Sequence, residues 1–168
     1  HYAHFKKLAE EGAEKVLHYS LSGGLSPTAN VAKEAAAAIA EKYPNCKIIA
    51  IDSLAATIGQ GALVREAVRL RAEGVAFEEI AKITADMPLH IQYAIIANDL
   101  YYLKRGGRVS SVAAAAGTLL NIKPVLSFTS DGKLTVVEKV RGMKKAFAYA
   151  LAKTEKFEPV EENRMMRI

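Results

Sequence analysis

The sequence predicts an α/β protein of two domains, in which a parallel α/β layer precedes a smaller α+β domain with a mixed sheet. In the first half, short apolar runs alternate with segments of helical periodicity, which is typical of a parallel sheet. The pattern changes near Met87-Pro88, and the hairpin signal Asp131-Gly132 then separates two strand-like segments. We therefore expect domains at 1–88 and 89–156, with 157–168 as a linker or a truncated end.

Two apolar runs in the first half predict neighbouring strands at Lys15–Leu21 and Lys47–Asp52. Ser26 is expected to cap the helix that follows the first strand, with Pro27 in its first position. Glu66 is expected to point away from the buried face of its helix. The spacing of apolar residues predicts helices at His1–Glu11, Pro27–Tyr43, Ala56–Ala72 and around Ile80.

In the second half, alternating and apolar runs predict strands at His90–Ala97, Pro124–Thr129 and Lys133–Val140. One helical turn is expected at Asp99–Leu103, and a helix rich in small residues at Val109–Leu120. A final helix, Gly142–Ala152, is expected to bury one face formed by Met143, Ala146, Phe147 and Ala150.

The composition excludes several classes of protein. Hydrophobic residues make up 51% and charged residues 24%, and no apolar run approaches the roughly 20 residues that span a bilayer. The polar start lacks the apolar core of a signal peptide. Cys46 is the only cysteine, so neither an internal disulfide nor a cysteine-based metal cluster can form, which fits a cytoplasmic protein. The four histidines show no metal-binding spacing.

The segment Ser20–Thr28 is the first candidate binding site, because it joins a strand to a helix through two glycines. Glycines allow a ligand to approach the backbone closely, and a helix start offers unpaired N–H groups and the positive end of a dipole. The pattern favours a carboxylate or phosphate held by Ser22, Gly23, Gly24 and Ser26. The alternative is a well-capped helix after a tight turn.

Basic residues cluster at the boundaries of predicted elements, which favours anionic partners in a chain of net charge +5. Arg105 and Arg108 flank a glycine pair, and Arg141 precedes the final helix. Arginine forms bidentate hydrogen bonds with carboxylate and phosphate groups. The three side chains are therefore candidates for one anion-facing patch, and the alternative is a set of solvated surface loops.

The helix at Val109–Leu120 is the third candidate, since it carries Ala113, Ala116 and Leu120 among other small or apolar residues. Such residues permit close packing of helices, and they equally leave room for a long, thin apolar ligand. Asp52-Ser53, at the end of a predicted strand, fits either a ligand contact or a helix cap.

Several segments, in order along the chain, resemble motifs of the DegV family. Ser20–Thr28 is similar to its S-S-G-L-S-G-T segment, although Gly23 stands where the family usually has a second serine. The most specific match is Asp99–Ser110, which contains R-G-G-R. Further matches are Ile51–Gly61, Gly117–Leu126 and Glu138–Gly142.

The resemblance implies a DegV-like protein that binds a long-chain fatty acid between two domains. It implies that Ser22 and the Gly23-Gly24 backbone face the carboxylate, and that the acyl chain passes the alanine-rich helix. A separate ATP-dependent kinase would phosphorylate the carboxylate, with Arg108 and Arg141 facing the phosphoryl group or the kinase. The family's N-terminal Thr-Ser-Gln-Pro segment and its C-terminal segment are absent, so we expect either an incomplete chain or one that does not bind lipid as it stands.

Three functions follow in order of preference. The first is a fatty-acid carrier that needs no cofactor or metal and performs no reaction of its own. The alternative is an enzyme acting on a small phosphorylated metabolite, which the sequence supports less because no base, nucleophile or metal cluster is evident. Nucleic-acid binding ranks last, because the basic residues lack interleaved aromatic residues or a known motif.

Overall fold

The computed structural model describes residues 1–97, 105–108 and 121–154. By their contacts, the residues fall into a first unit, His1–Ile91 with Ser130–Lys133, and a second unit, Gln92–Thr129 with Leu134–Ile168. The domain limits expected from the sequence, 1–88, 89–156 and 157–168, stay predictions.

The first unit contains two adjacent parallel strands, β1 (Lys15–Ser20) and β2 (Lys47–Asp52). Their register runs from Lys15 opposite Lys47 to Ser20 opposite Asp52. This arrangement confirms the parallel α/β layer. The helices are α1 (Tyr2–Glu10), α2 (Thr28–Lys42), α3 (Thr57–Ala72) and α4 (Phe77–Asp86), followed by a 3-10 helix (Met87–His90).

Helices cover both faces of the β1–β2 pair, because successive side chains of a strand point to opposite faces. On one face, Phe5 of α1 and Ile39 of α2 pack with Ile48 of β2. On the other face, residues of α3 and α4 pack against Leu17 and Tyr19 of β1. The pair is thereby fixed between two helical layers, and its carboxyl ends lead into the loops before α2 and α3.

The second unit contains an antiparallel sheet in the order β3 (Ile95–Ile96), β4 (Ile122–Phe128), β5 (Leu134–Arg141), and the helix α5 (Met143–Thr154). The β4–β5 hairpin confirms the strands predicted on either side of Asp131-Gly132. The sequence predicts a mixed sheet in this unit, whereas its described strands, β3, β4 and β5, pair only antiparallel. A tight turn between consecutive strands imposes that direction on the hairpin.

Other predictions need correction at the ends of elements. Ser26 and Pro27 precede α2, which begins at Thr28, so Pro27 is not its first residue. The Ser26 hydroxyl nevertheless accepts a hydrogen bond from the Thr28 N–H at 3.3 Å. The strand predicted at His90–Ala97 is reduced to Ile95–Ile96. The turn formed by Met87-Pro88 continues as a 3-10 helix to His90, which uses residues the apolar run had assigned to the strand.

The buried faces of α3 and α5 also differ from the prediction. Glu66 is buried rather than outward-facing, because the Arg69 guanidinium donates to both of its oxygens at 3.0 and 2.5 Å. These hydrogen bonds hold the pKa of Glu66 below its usual range. Phe147 is 52% exposed, whereas the neighbouring Ala146 is fully buried. The small side chain of Ala146 therefore occupies the packed face of α5 that Phe147 was expected to share.

The predicted helix at Val109–Leu120 and the predicted turn at Asp99–Leu103 lie outside the described residues, as does 157–168. Within residues 1–97, 105–108 and 121–154, each helix is too short or too polar to cross a bilayer.

His18 makes the stability of the first unit depend on pH. Its ring packs edge-on against Phe5, at 5.2 Å between centroids, and its Nε2 is buried without a partner among the described residues. Burial, and to a lesser degree the charge of His4, lowers the pKa of His18 from 6.5. The unfolded chain therefore takes up this proton more readily, and the stability present above pH 6.5 is lost as the pH falls through the lowered value.

We expect the free energy of unfolding to fall on acidification below pH 6.5, and His18→Gln to reduce that slope. Urea denaturation at several pH values measures both chains. Equal slopes for the parent and the variant would show that His18 does not cause the dependence.

Candidate functional site

The loops that follow β1 and β2 form the candidate site. Ser20 and Asp52 end the two strands and lie opposite each other in the register. Because parallel strands carry their following loops at one edge of the sheet, the residues before α2 and those before α3 come together. The Ser22 N–H donates to the carbonyl of Ala55 at 2.9 Å, which joins the two loops directly.

Ser22 also joins these loops to the turn of the β4–β5 hairpin. Its side chain is fully buried, and its hydroxyl donates to the carbonyl of Gly132 at 2.6 Å. The same oxygen accepts the Gly24 N–H at 3.1 Å. The turn residues Ser130–Lys133 belong to the first unit by their contacts, so these hydrogen bonds lie within one unit. The only hydroxyl proton of Ser22 is thereby used inside the protein.

Gly24 and Gly132 are the positions at which the loop and the turn approach most closely. A Cβ on Gly24 would lie 2.5 Å from the carbonyl carbon of Gly132. A Cβ on Gly132 would overlap the Ser22 hydroxyl, and Gly132 has a φ of +73°, which side chains rarely adopt. Both glycines are therefore required by the packing of the loop on the turn.

Gly23 faces Asp52 rather than open space. Its N–H donates to both carboxylate oxygens of Asp52, at 3.0 and 3.1 Å. One of those oxygens also accepts the Leu54 N–H at 2.9 Å. Leu54, in the loop after β2, and Thr57, the first residue of α3, have positive φ angles of 46° and 51°, so this connection holds a strained backbone of the kind found at binding sites.

Ser20 carries a polar group that the described residues leave unsatisfied. The residue is 2% exposed, and its hydroxyl has no hydrogen-bond partner in the part of the chain that the structure describes. A buried polar atom without a partner costs stability, and such atoms occur where a ligand or a water completes the site. Among the hydroxyls next to this loop, Ser20 is thus a ready hydrogen-bond donor.

The predicted arginines lie in the second unit. Arg105, Arg108 and Arg141 are exposed, and the Arg108 guanidinium donates to the carbonyl of Gly106. Their assembly into one anion-facing patch stays a prediction. The residues expected to line an acyl chain, Ala113, Ala116 and Leu120, lie outside the described residues.

A separate apolar groove of about 570 Å³ lies beside β1, and none of the predicted site residues lines it. Burial raises the pKa of Tyr19, one of its lining residues, whose hydroxyl shares a 2.7 Å hydrogen bond with Thr84. Other lining residues are Leu17, Ala67, Val68, Arg71, Phe77 and Ile80. In residues 1–97, 105–108 and 121–154, no group of three or more His, Cys, Asp or Glu side chains is placed to hold a metal ion.

Comparison with known families decides the relationship of the chain. The model of the DegV family, described as an uncharacterised protein family, matches residues 2–166. The chain belongs to the DegV family. This confirms the resemblance of the sequence to the DegV family.

Curated relatives in the DegV family span more sequence than this chain. The DegV domain-containing protein YteA of Lactococcus lactis is 40% identical over 150 residues, which are 89% of this chain and 52% of that protein. A DegV domain-containing protein of Clostridium acetobutylicum is 36% identical over 142 residues, 84% of this chain and 49% of that protein. The chain therefore spans about half the length of these relatives.

Solved structures of fatty-acid-binding proteins, one of them a DegV family protein, share the fold. A stearic-acid-binding protein from Eubacterium ventriosum matches with a TM-score of 0.82 and 28% identity, over 97% of this chain and 54% of that one. A fatty-acid-binding DegV protein from Streptococcus agalactiae matches with a TM-score of 0.80 and 34% identity, over 92% of this chain and 53% of that one. The Streptococcus pneumoniae Fatty Acid Kinase B3 protein, loaded with linoleic acid, matches with a TM-score of 0.81 and 28% identity, over 91% of this chain and 54% of that one.

In this DegV chain, sequence reasoning found the loop but missed two of its residues. Gly132 was expected only as part of a hairpin, and no local signal indicates that its carbonyl accepts from a serine 110 residues away. The second residue is Ser20, which is not among the binding residues that the sequence predicts. The available signal is a serine at the end of the apolar run that predicts β1.

Ser22→Ala is expected to lower the free energy of unfolding by about 1–3 kcal/mol, because the buried Gly132 carbonyl loses its donor. Chemical denaturation measures the change. Ser130→Ala, which removes an exposed hydroxyl from the same turn, serves as the control and is expected to have little effect. Equal effects of the two changes would contradict the role assigned to Ser22.

Gly132→Ala is expected to destabilise the protein more than Gly74→Ala. Both glycines have positive φ, +73° and +79°, so each change adds backbone strain of about 1–3 kcal/mol. Only Gly132 lacks room for a Cβ, which adds about 1–3 kcal/mol of overpacking, whereas Gly74 has no atom within 4 Å of that position. Thermal unfolding compares the two, and equal losses would refute the close packing of the turn.

Proposed function

We propose that this protein binds a long-chain fatty acid and presents its carboxylate to a separate ATP-dependent kinase, with no reaction of its own. The supporting observation is the likeness to solved structures named for a bound fatty acid, at TM-scores of 0.82 and 0.81. The chain covers only about half of those structures.

The head group is proposed to lie at the loops after β1 and β2. A carboxylate needs hydrogen-bond donors, and this region supplies hydroxyls and N–H groups beside the start of α2. The Ser22 proton goes to Gly132 and the Gly23 N–H to Asp52, so a ligand that uses either donor must exchange an internal hydrogen bond. The Ser20 hydroxyl requires no such exchange. We therefore add Ser20 to the proposed set of Ser22, Gly23, Gly24 and Ser26.

The arginines are proposed to act on the phosphoryl group or on the kinase. Arg141, at the end of β5, and Arg105 and Arg108 are exposed, which suits a contact with a second protein or with a transferred phosphoryl group. The proposed location is the cytoplasm, because phosphorylation of the acyl carboxylate requires ATP. Ala113, Ala116 and Leu120 remain the proposed contacts of the acyl chain.

The test is denaturing extraction of the purified protein, in its full natural length, followed by mass spectrometry. We expect about one fatty acid per protein, and an unrelated protein from the same host extracted in parallel sets the background. Added fatty acid is also expected to raise the melting temperature, because a ligand that binds only the folded state stabilises it.

If neither bound lipid nor a thermal shift is found, the carrier function is wrong. A thermal shift with a sugar phosphate or a nucleotide, and none with fatty acid, would favour the alternative of an enzyme acting on a phosphorylated metabolite.

A further inference from the structure

The Asp52 carboxylate accepts a hydrogen bond from the Gly23 N–H, a donor that a ligand carboxylate would use. Both of its oxygens accept the Gly23 N–H, at 3.0 and 3.1 Å, and the Leu54 N–H binds one of them at 2.9 Å. Two backbone donors from different loops therefore hold this side chain in one place. An acidic group thus stands within the set of residues proposed to receive an acidic ligand.

The absence of a side chain at Gly23 is what admits Asp52. A Cβ at position 23 would overlap the Asp52 carboxylate oxygen, and would lie 3.8 Å from the Cβ of Ala29, an ordinary contact. Gly23 is not among the glycines with positive φ, so its backbone conformation tolerates other residues. The need for glycine therefore comes from the position of Asp52 and not from the backbone.

Asp52 also places a negative charge beside the loop. An N–H group that already binds a carboxylate is not free for a second one, and two like charges close together repel each other. An uncharged head group does not meet this repulsion, and one with a hydroxyl can donate to the outer lone pairs of Asp52.

From this geometry we propose that Asp52 determines head-group selectivity, by weakening binding of an ionised carboxylate relative to an uncharged hydroxyl head group on the same acyl chain. The inference rests on the proposed function, since it concerns the same loop and the same class of ligand. It assigns Asp52 the role of a specificity-determining residue whose carboxylate must leave Gly23 before a fatty-acid carboxylate takes that donor.

The first arm of the test measures binding of dodecanoate and of 1-dodecanol by calorimetry. Asp52→Asn keeps an oxygen for the Gly23 N–H and removes the charge. We expect it to tighten dodecanoate binding about tenfold or more, and to change 1-dodecanol binding by less than about threefold. Asp86→Asn is the control. It removes an exposed carboxylate at the end of α4, outside the loops after β1 and β2, where Asp86 contacts His90. Unchanged or weaker dodecanoate binding to Asp52→Asn overturns the proposal.

The second arm tests the contact without a ligand. Gly23→Ser is expected to lower the melting temperature in the parent chain, because the serine side chain overlaps the Asp52 carboxylate. In an Asp52→Ala background, Gly23→Ser is expected to lower the melting temperature clearly less than in the parent chain. Equal losses in both backgrounds would show that Asp52 does not occupy Gly23, and would overturn the inference.

The measurements distinguish a failure of the proposed selectivity from a failure of the proposed carrier function. If dodecanoate binds the parent and Asp52→Asn equally well, the selectivity is wrong and the carrier function stands. If neither ligand binds any variant, the carrier function is wrong and the selectivity falls with it, while the melting temperatures still report whether Asp52 holds Gly23.

Discussion

The buried hydrogen bond from the Ser22 hydroxyl to the Gly132 carbonyl is the contact on which the candidate site depends. It joins the loop after β1 to a hairpin turn 110 residues later, at 2.6 Å. A buried carbonyl needs a donor, and Gly24 and Gly132 can approach each other only because neither has a side chain. The positions of Gly23, Asp52 and the loop before α3 follow from this arrangement, because Ser22 also binds Ala55 through its N–H.

Much of the fold could be predicted from the sequence, because its signals are local. Apolar runs located β1 and β2, and Asp131-Gly132 located the hairpin. Local periodicity failed where side-chain hydrogen bonds decided the outcome. Glu66 reads as a surface residue until Arg69 is placed beside it, and the partner of Ser22 is a main-chain carbonyl that leaves no mark on the side-chain pattern.

Membership of the DegV family accounts for the fold, whereas the chemistry of the loop depends on a few side chains of this particular chain. Gly23 lets the Asp52 carboxylate lie against the backbone, and the Ser20 hydroxyl is buried without a partner among the described residues. Family resemblance alone could not predict either feature, because each depends on how two or more loops pack. The first gives the loop an internal anion, and the second leaves one buried hydroxyl without an internal acceptor or donor among the described residues.

The most direct measurement is a crystal structure of the full natural protein with a bound fatty acid. The account predicts the carboxylate within hydrogen-bond distance of the loop from Ser20 to Ser26, with the Asp52 side chain turned away from the Gly23 N–H. A head group bound elsewhere, such as in the groove beside β1, with Asp52 still on Gly23, would contradict it.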